Sequence, residues 1–338
     1  MLVTGGHGFL GSHLVDLLLK RGCRVRCLLR PGRGEAALRG LPVEIVRGDL
    51  RRAEGLEEAV QGVDAVYHLA GLIAARRPAD FYEVNEKGTR RLAAAVARAN
   101  PACSRFVLVS SQTAGGPSHD GTPVREEDPA RPLTHYGRSK LAAEQALPAA
   151  LGAVPHAILR APAIYGPRDM AILPFFQMAR SGLRPGLEGR GRRFNLLHAG
   201  DVAEALLLAG TREEARNRLY YLSDGPGCSH GEVGEALSAA YGRRLFRVPL
   251  PDALLDLAGV LTDEFAGLAG RTPVFGRDKA KDLKARYWVC SSQRARRELG
   301  WEPRIALREG MAATARWYAE QGWIRPAKRK RGAGAGAL

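Results

Sequence analysis

The chain has 338 residues, with 51 Lys and Arg against 35 Asp and Glu for a formal net charge of +16. Hydrophobic residues at 45% and charged residues at 25% are those of a globular chain, which excludes a disordered or fibrous protein and suits one large or two coupled domains. The cations are 43 Arg and 8 Lys spread along the chain, densest in the five between Arg325 and Arg331, so they read as a solvated basic surface with a frayed tail and no nucleic-acid partner.

Short Val-, Leu- and Ile-rich runs alternate with amphipathic stretches through the first half, the pattern of strand-helix-strand units on a parallel sheet. Strands are predicted at residues 2–4, 25–29, 44–47, 65–69, 105–110 and 156–160, and helices at 10–20, 53–61, 82–99 and 136–149. Beyond residue 162 the alternation loosens into Pro- and Gly-rich loops, with helices at 201–209, 229–241, 251–268, 292–299 and 307–321. Residues 250–268 are the most apolar helical stretch, but Asp252, Asp256, Asp263 and Glu264 interrupt it, so no membrane span is expected. Five cysteines without a Cys-x-x-Cys pair give neither a disulfide framework nor a thiolate zinc site. With no basic region ahead of an apolar run at the N-terminus, the expected location is cytoplasmic.

The first strand runs into Thr4-Gly5-Gly6-His7-Gly8-Phe9-Leu10-Gly11 and then directly into a helix. Glycines at 5, 8 and 11 allow a tight turn, close approach of a pyrophosphate to backbone N–H groups, and close helix-strand packing, with the anion on the helix N-terminus. The second strand ends Leu28-Leu29-Arg30-Pro31-Gly32-Arg33, with no carboxylate before Glu35 to receive a ribose 2′-OH. Arg30 and Arg33 suit a 2′-phosphate, which favours NADP(H) over NAD(H). Asp49, after the third strand, is placed either to accept a hydrogen bond from adenine or to cap a helix.

Tyr136 and Lys140 stand four residues apart, hence on one helix face. An ammonium there favours the phenolate and lowers the phenol pKa, which makes Tyr136 a candidate general acid/base at an alcohol or ketone. Ser110 and Ser111 end the fifth strand at the carboxyl edge of the sheet, where either hydroxyl could bind the substrate oxygen.

The glycine run, Asp49, His68-Leu69-Ala70-Gly71, Asn85-x-x-Gly88-Thr89, Ser110-Ser111, Tyr136-x-x-x-Lys140 and Arg160 to Pro167 resemble, in order and spacing, the extended short-chain dehydrogenase/reductase family over residues 1 to about 322. The resemblance implies an α/β fold: a Rossmann-type doubly wound parallel sheet binding NAD(P) over residues 1–162 and a smaller α/β substrate domain over 163–324 with some chain exchange; composition sets off 325–338 as a basic, low-complexity tail. It implies Tyr136 as proton donor and acceptor, Lys140 on the nicotinamide ribose, and Ser111 orienting the carbonyl, ahead of Ser110 and Thr113. It also implies Phe9 and Leu10 over the pyrophosphate, Asp49 and Leu50 at adenine, Leu69, Ala70 and Gly71 along the cofactor, Asn85 near the nicotinamide and Pro162 against it. His68 reads as a packing residue. A homodimer through the helices at 82–99 and 136–149 is implied as well.

Within that family the sequence favours reductases of hydrophobic ketones, such as 3β-hydroxysteroid dehydrogenases and dihydroflavonol reductases, over nucleotide-sugar epimerases and dehydratases. Ala163 stands where the sugar-nucleotide branch carries Asn, and residues 110–116 lack the dehydratases' acid pair. Residues 250–268 and 272–275 offer an apolar wall. Arg192-Arg193-Phe194-Asn195 points the other way, resembling the segment that places an Arg on sugar-nucleotide phosphates.

Overall fold

Leu2–Thr4 (β1), Val25–Leu29 (β2), Val43–Arg47 (β3), Ala65–His68 (β4), Arg105–Ser111 (β5) and His156–Ala161 (β6) are the strands that the apolar runs predict, each end within one residue of expectation. They pair in parallel in the order β3-β2-β1-β4-β5-β6, the doubly wound arrangement. Leu2, Val3, Val66, Tyr67, Phe106 and Val107 have no exposed surface, because helices cover both faces. The computed structural model describes residues 1–32, 34–186, 191–249 and 277–324. Arg33, the expected helix at 251–268, the apolar wall at 250–275 and the basic tail lie outside the described residues.

Ala163–Tyr165 (β7), Leu183–Gly186 (β8), Arg193–Phe194 (β9), Leu196–His198 (β10), Arg218–Tyr221 (β11), Phe246–Pro249 (β12) and Tyr287–Trp288 (β13) were not expected from the sequence. At two to four residues each, they are too short for a period of two to register. β11 extends the central sheet beyond β6. The others form the parallel pairs β7–β10, β8–β12 and β9–β13.

Among the described residues the α-helices are Phe9–Lys20 (α1), Leu56–Val60 (α2), Pro78–Phe81 (α3), Gly88–Ala99 (α4), Gln112–Gly115 (α5), His135–Leu151 (α6), Leu173–Arg180 (α7), Ala199–Thr211 (α8), His230–Tyr241 (α9), Arg277–Lys284 (α10) and Leu307–Glu320 (α11). The helix expected from residue 53 starts later, because Ala53 and Gly55 both take positive φ, 61° and 67°. The one expected from 82 opens with a π-helical turn, Tyr82–Lys87, which carries Asn85.

One face of the sheet packs against Leu14 and Leu18 of α1 together with Val202 and Leu206 of α8. The other packs against Leu92 and Val96 of α4 and Leu147 and Leu151 of α6. Tyr165, Phe176, Leu237, Met311 and Tyr318 form a separate cluster among later elements. Strand order reverses between β1 and β4, so the loops that leave their carboxyl ends flank a crevice. Among the described residues, no helix is long and apolar enough to cross a membrane.

Candidate active site

The glycine loop is shaped by backbone contact. Gly5 has φ +72°, and its carbonyl accepts the Gly8 N–H at 2.9 Å. A Cβ on Gly11 would lie 2.1 Å from the Gly5 oxygen and one on Gly5 3.0 Å from the Ala70 nitrogen, so the turn, α1 and the β4 loop close only without side chains. α1 starts at Gly8 with no side-chain cap and no acidic residue in its first turn. Its N–H groups and dipole therefore remain available to an anion, the fit a pyrophosphate requires. Phe9 and Leu10 are half-buried at this end.

At the carboxyl end of β2, Arg30 follows Leu29, which is registered with Arg47 of β3. Arg47 donates to the Arg30 carbonyl at 3.4 Å and pairs with the Glu35 carboxylate. No local signal in the sequence marks Arg47; parallel register brings it beside Arg30. Asp49 is no helix cap: its Oδ1 accepts the Arg51 N–H at 2.8 Å in a turn. Leu50 is buried beside Gly88, where an added Cβ would sit 3.1 Å from the Leu50 Cβ.

Beyond β4 the Leu69 and Ala70 N–H groups donate to the Thr4 carbonyl at 3.2 Å and the Thr4 hydroxyl at 3.1 Å. Thr4 reaches His68 Nδ1 at 2.7 Å, His68 Nε2 reaches Thr89 at 3.0 Å, and Thr89 donates to the Asn85 carbonyl at 2.6 Å. The proton order that satisfies this chain puts hydrogen on His68 Nε2. Burial, with the nearby Lys140 charge, pushes His68 down to about 3 and so keeps it neutral. Asn85 accepts the Leu72 N–H at 2.7 Å, and its amide donates to the Leu72 carbonyl at 3.0 Å and the Ser139 hydroxyl at 2.9 Å. The Asn85 amide is thus a strut between the β4 loop and α6, and Gly71 packs against its oxygen.

Thr134 caps α6, and Asp278 of α10 accepts the His135 N–H at 2.8 Å and the Tyr136 N–H at 3.4 Å. Ser111 closes β5 and accepts from the Thr113 hydroxyl at 2.8 Å, and its hydroxyl lies on the side of the Tyr136 phenol, whose ionised form it favours. Ser110 faces the opposite way and gives its hydroxyl to buried Glu144. Lys140 Nζ donates to the Val109 carbonyl at 2.6 Å. The structure therefore brings Ser111 to Tyr136, sets Lys140 one helical turn on, and leaves Ser110 out.

The four-residue spacing predicts that Lys140 lowers the Tyr136 pKa. Instead burial pushes Tyr136 up to about 12, opposed by the Ser111 hydroxyl and reinforced by the charge of Asp282, a residue the spacing does not mark. Burial likewise pushes Lys140 down to about 8, and Glu144 opposes that fall. Pro162 is buried just after β6, whereas Ala163 beside it is exposed. Of the two arginines in the sugar-phosphate candidate segment, Arg192 is buried and Arg193 donates to the Gly227 carbonyl at 2.6 Å and the Pro226 carbonyl at 3.2 Å. Asn195 is buried and donates to Asp224 at 2.5 Å, a scaffold contact.

A doubly wound sheet with an uncapped glycine-loop helix at its edge and a Tyr-Lys helix across the crevice defines a dinucleotide-dependent enzyme. The model of the NAD dependent epimerase/dehydratase family matches residues 1–222, and the chain belongs to that family. It is 36% identical to the ceramide reductase of Caulobacter vibrioides over 95% of both chains. It is 30% identical to a putative dihydroflavonol 4-reductase of Synechocystis over 96% of this chain and 95% of that one. The crystal structure of Thermus thermophilus UDP-glucose 4-epimerase in complex with NAD superposes with a TM-score of 0.74 at 26% identity, covering 94% of this chain and 98% of that one.

Proposed function

We propose that this NAD(P)-dependent oxidoreductase interconverts a ketone and a hydroxyl on a largely apolar small molecule, with NADP(H) as its cofactor. The observation that carries the reading is that Tyr136 and Lys140 stand one turn apart on α6, with Lys140 held to the Val109 carbonyl of β5 just before Ser111, the serine that faces away from Glu144. Gly5, Gly8 and Gly11 with the α1 N-terminus would hold the pyrophosphate under Phe9 and Leu10. Asp49 and Leu50 would meet adenine, and Arg30 and Arg47 a 2′-phosphate. Leu69 to Gly71 and Pro162 would flank the nicotinamide.

When bound, the nicotinamide supplies or accepts a hydride. In the reducing direction Tyr136, protonated up to about 12, gives its proton to the substrate oxygen that Ser111 orients. Lys140 holds the ribose and contributes positive charge near the developing alkoxide.

The reductase reading is favoured over the sugar-nucleotide one by exposed Ala163, which has no amide to offer; of the Arg192-Arg193 pair, Arg193 is engaged by backbone carbonyls. Ile73 and Met170 are 73% and 72% exposed on the loops after β4 and β7, which suits an apolar substrate at the mouth. Relatives named for the reduction of ceramide and dihydroflavonol point the same way. The half-buried Ala94, Ala97, Leu141 and Ala142 on α4 and α6 suit pairing with a second copy, which light scattering at micromolar concentration tests.

The functional test is a thermal-shift comparison of NADPH with NADH, followed by a panel of apolar ketones and UDP- or dTDP-sugars with the preferred cofactor. Stronger stabilisation by NADPH and turnover of a ketone support the reading. Stabilisation by a nucleotide sugar with no ketone reduced overturns it.

A further inference from the structure

Tyr136, Lys140 and Glu144 follow one another at four-residue spacing along α6. The third of them plays no part in the reaction described above, yet it is 6% exposed and lies at the centre of a buried network. Its carboxylate accepts from Arg160 Nη2 at 2.7 Å and Nε at 3.0 Å, and from the Ser110 hydroxyl. Arg160 Nη1 donates in turn to the Tyr221 hydroxyl at 2.8 Å. The four residues come from α6, β6, β5 and β11. Burying such a pair is an expensive way to gain stability, since well-packed apolar residues often do as well.

We propose that Glu144 and Arg160 are positioning residues for the reacting centre: the Glu144 carboxylate holds Lys140 as an ammonium, and Arg160 limits that effect. The inference rests on Tyr136 and Lys140 being the reacting pair. Lys140 and Glu144 grip successive residues of β5, the Val109 carbonyl and the Ser110 hydroxyl, immediately before Ser111. The groups around Lys140 leave this task to Glu144. Tyr136 lies one turn before it on α6; His68 of β4 is neutral; β5 contributes a carbonyl. The charge of Asp282 from α10 acts on Tyr136, and Arg160 of β6 with Tyr221 of β11 faces Glu144. Glu144 is the carboxylate whose field reaches Lys140 and opposes the effect of its burial.

The two partners have opposite signs, which supplies the test. Glu144→Gln removes the anion and leaves the Arg160 cation, so the alkaline limb of kcat/KM for reduction of an apolar ketone by NADPH moves down by about one pH unit. Arg160→Gln leaves the anion uncompensated and moves the limb up. The Glu144→Gln/Arg160→Gln double variant returns it toward the parent position. Circular dichroism and NADPH affinity at pH 6.5 establish that each variant is folded. A limb that stays put in folded variants, or that moves the same way in both single variants, overturns the proposal. So does failure of both single variants to fold, which makes the pair structural. A Tyr136→Phe variant run alongside separates the outcomes: if it is inactive while the limbs stay put, this inference alone fails, and if it is active, the functional reading fails.

Discussion

The Lys140 ammonium donates to the Val109 carbonyl at 2.6 Å, two residues before the serine whose hydroxyl meets Tyr136. One backbone strand therefore registers both the cation and the oxygen-orienting hydroxyl. With burial pushing Lys140 down to about 8 and Tyr136 up to about 12, the cation is lost before the phenol ionises. Ketone reduction should hold its kcat/KM below about pH 8 and decline above it, and Lys140→Met should abolish that limb along with most of the activity. A pH profile of both proteins checks this.

Arg47 and Arg30 stand together at the ends of β3 and β2. Each charge-assisted contact to a 2′-phosphate contributes on the order of 1.5 kcal/mol, or about tenfold. Arg30→Ala and Arg47→Ala should each lower the preference for NADPH over NADH by about that factor, while NADH affinity changes little. Fluorescence titration with both cofactors measures it.

Gly11→Ala would force a methyl carbon to within 2.1 Å of the Gly5 carbonyl oxygen. Relief requires α1 to move away from the glycine turn, which costs roughly 1–3 kcal/mol and dilates the anion cradle. The expected result is a lowered melting temperature and NADPH binding weakened at least tenfold. Gly34→Ala is the control, at a glycine with open space around it and no positive φ.

His68 stays neutral in the folded chain down to about 3, whereas an unfolded imidazole protonates near 6.5. Between those values the unfolded state binds the extra proton, so stability is intact above 6.5 and falls as pH drops, by at most roughly 1.4 kcal/mol per unit for this residue. His198 and His230, each pushed down to about 4 by burial, add in the same sense. Urea melts at pH 7, 6 and 5 should show the slope, and His68→Gln should flatten part of it.

The parallel sheet was legible in the sequence because strands buried on both faces are rich in apolar runs, such as residues 27–29 and 106–109, set between amphipathic helical stretches. The glycine loop was legible because only glycine meets the contacts at positions 5 and 11. What sequence could not supply was facing. Ser110 and Ser111 are equivalent as letters, and only the alternation of β5 sends one to Glu144 and the other to Tyr136. Arg47 and Asp278 were missed because strand register and a distant helix bring them to the site, and Glu144, one turn beyond Lys140 on α6, because its burial against Arg160 of β6 is not visible in the spacing. The Tyr136 pKa was misjudged because spacing reports the Lys140 charge and says nothing about burial.

The central claim is that Tyr136 moves the proton in a hydride transfer between NADP(H) and an apolar ketone. Its most direct test is transfer of deuterium from [4-²H]NADPH to a ketone accepted by the enzyme, followed by mass spectrometry for the parent protein and for Tyr136→Phe. The account predicts a deuterium-labelled alcohol from the parent protein and, with cofactor affinity unchanged, at least a hundredfold less from the variant. Equal labelled product from both proteins, or no labelled alcohol from the parent while a sugar nucleotide is converted, would contradict it.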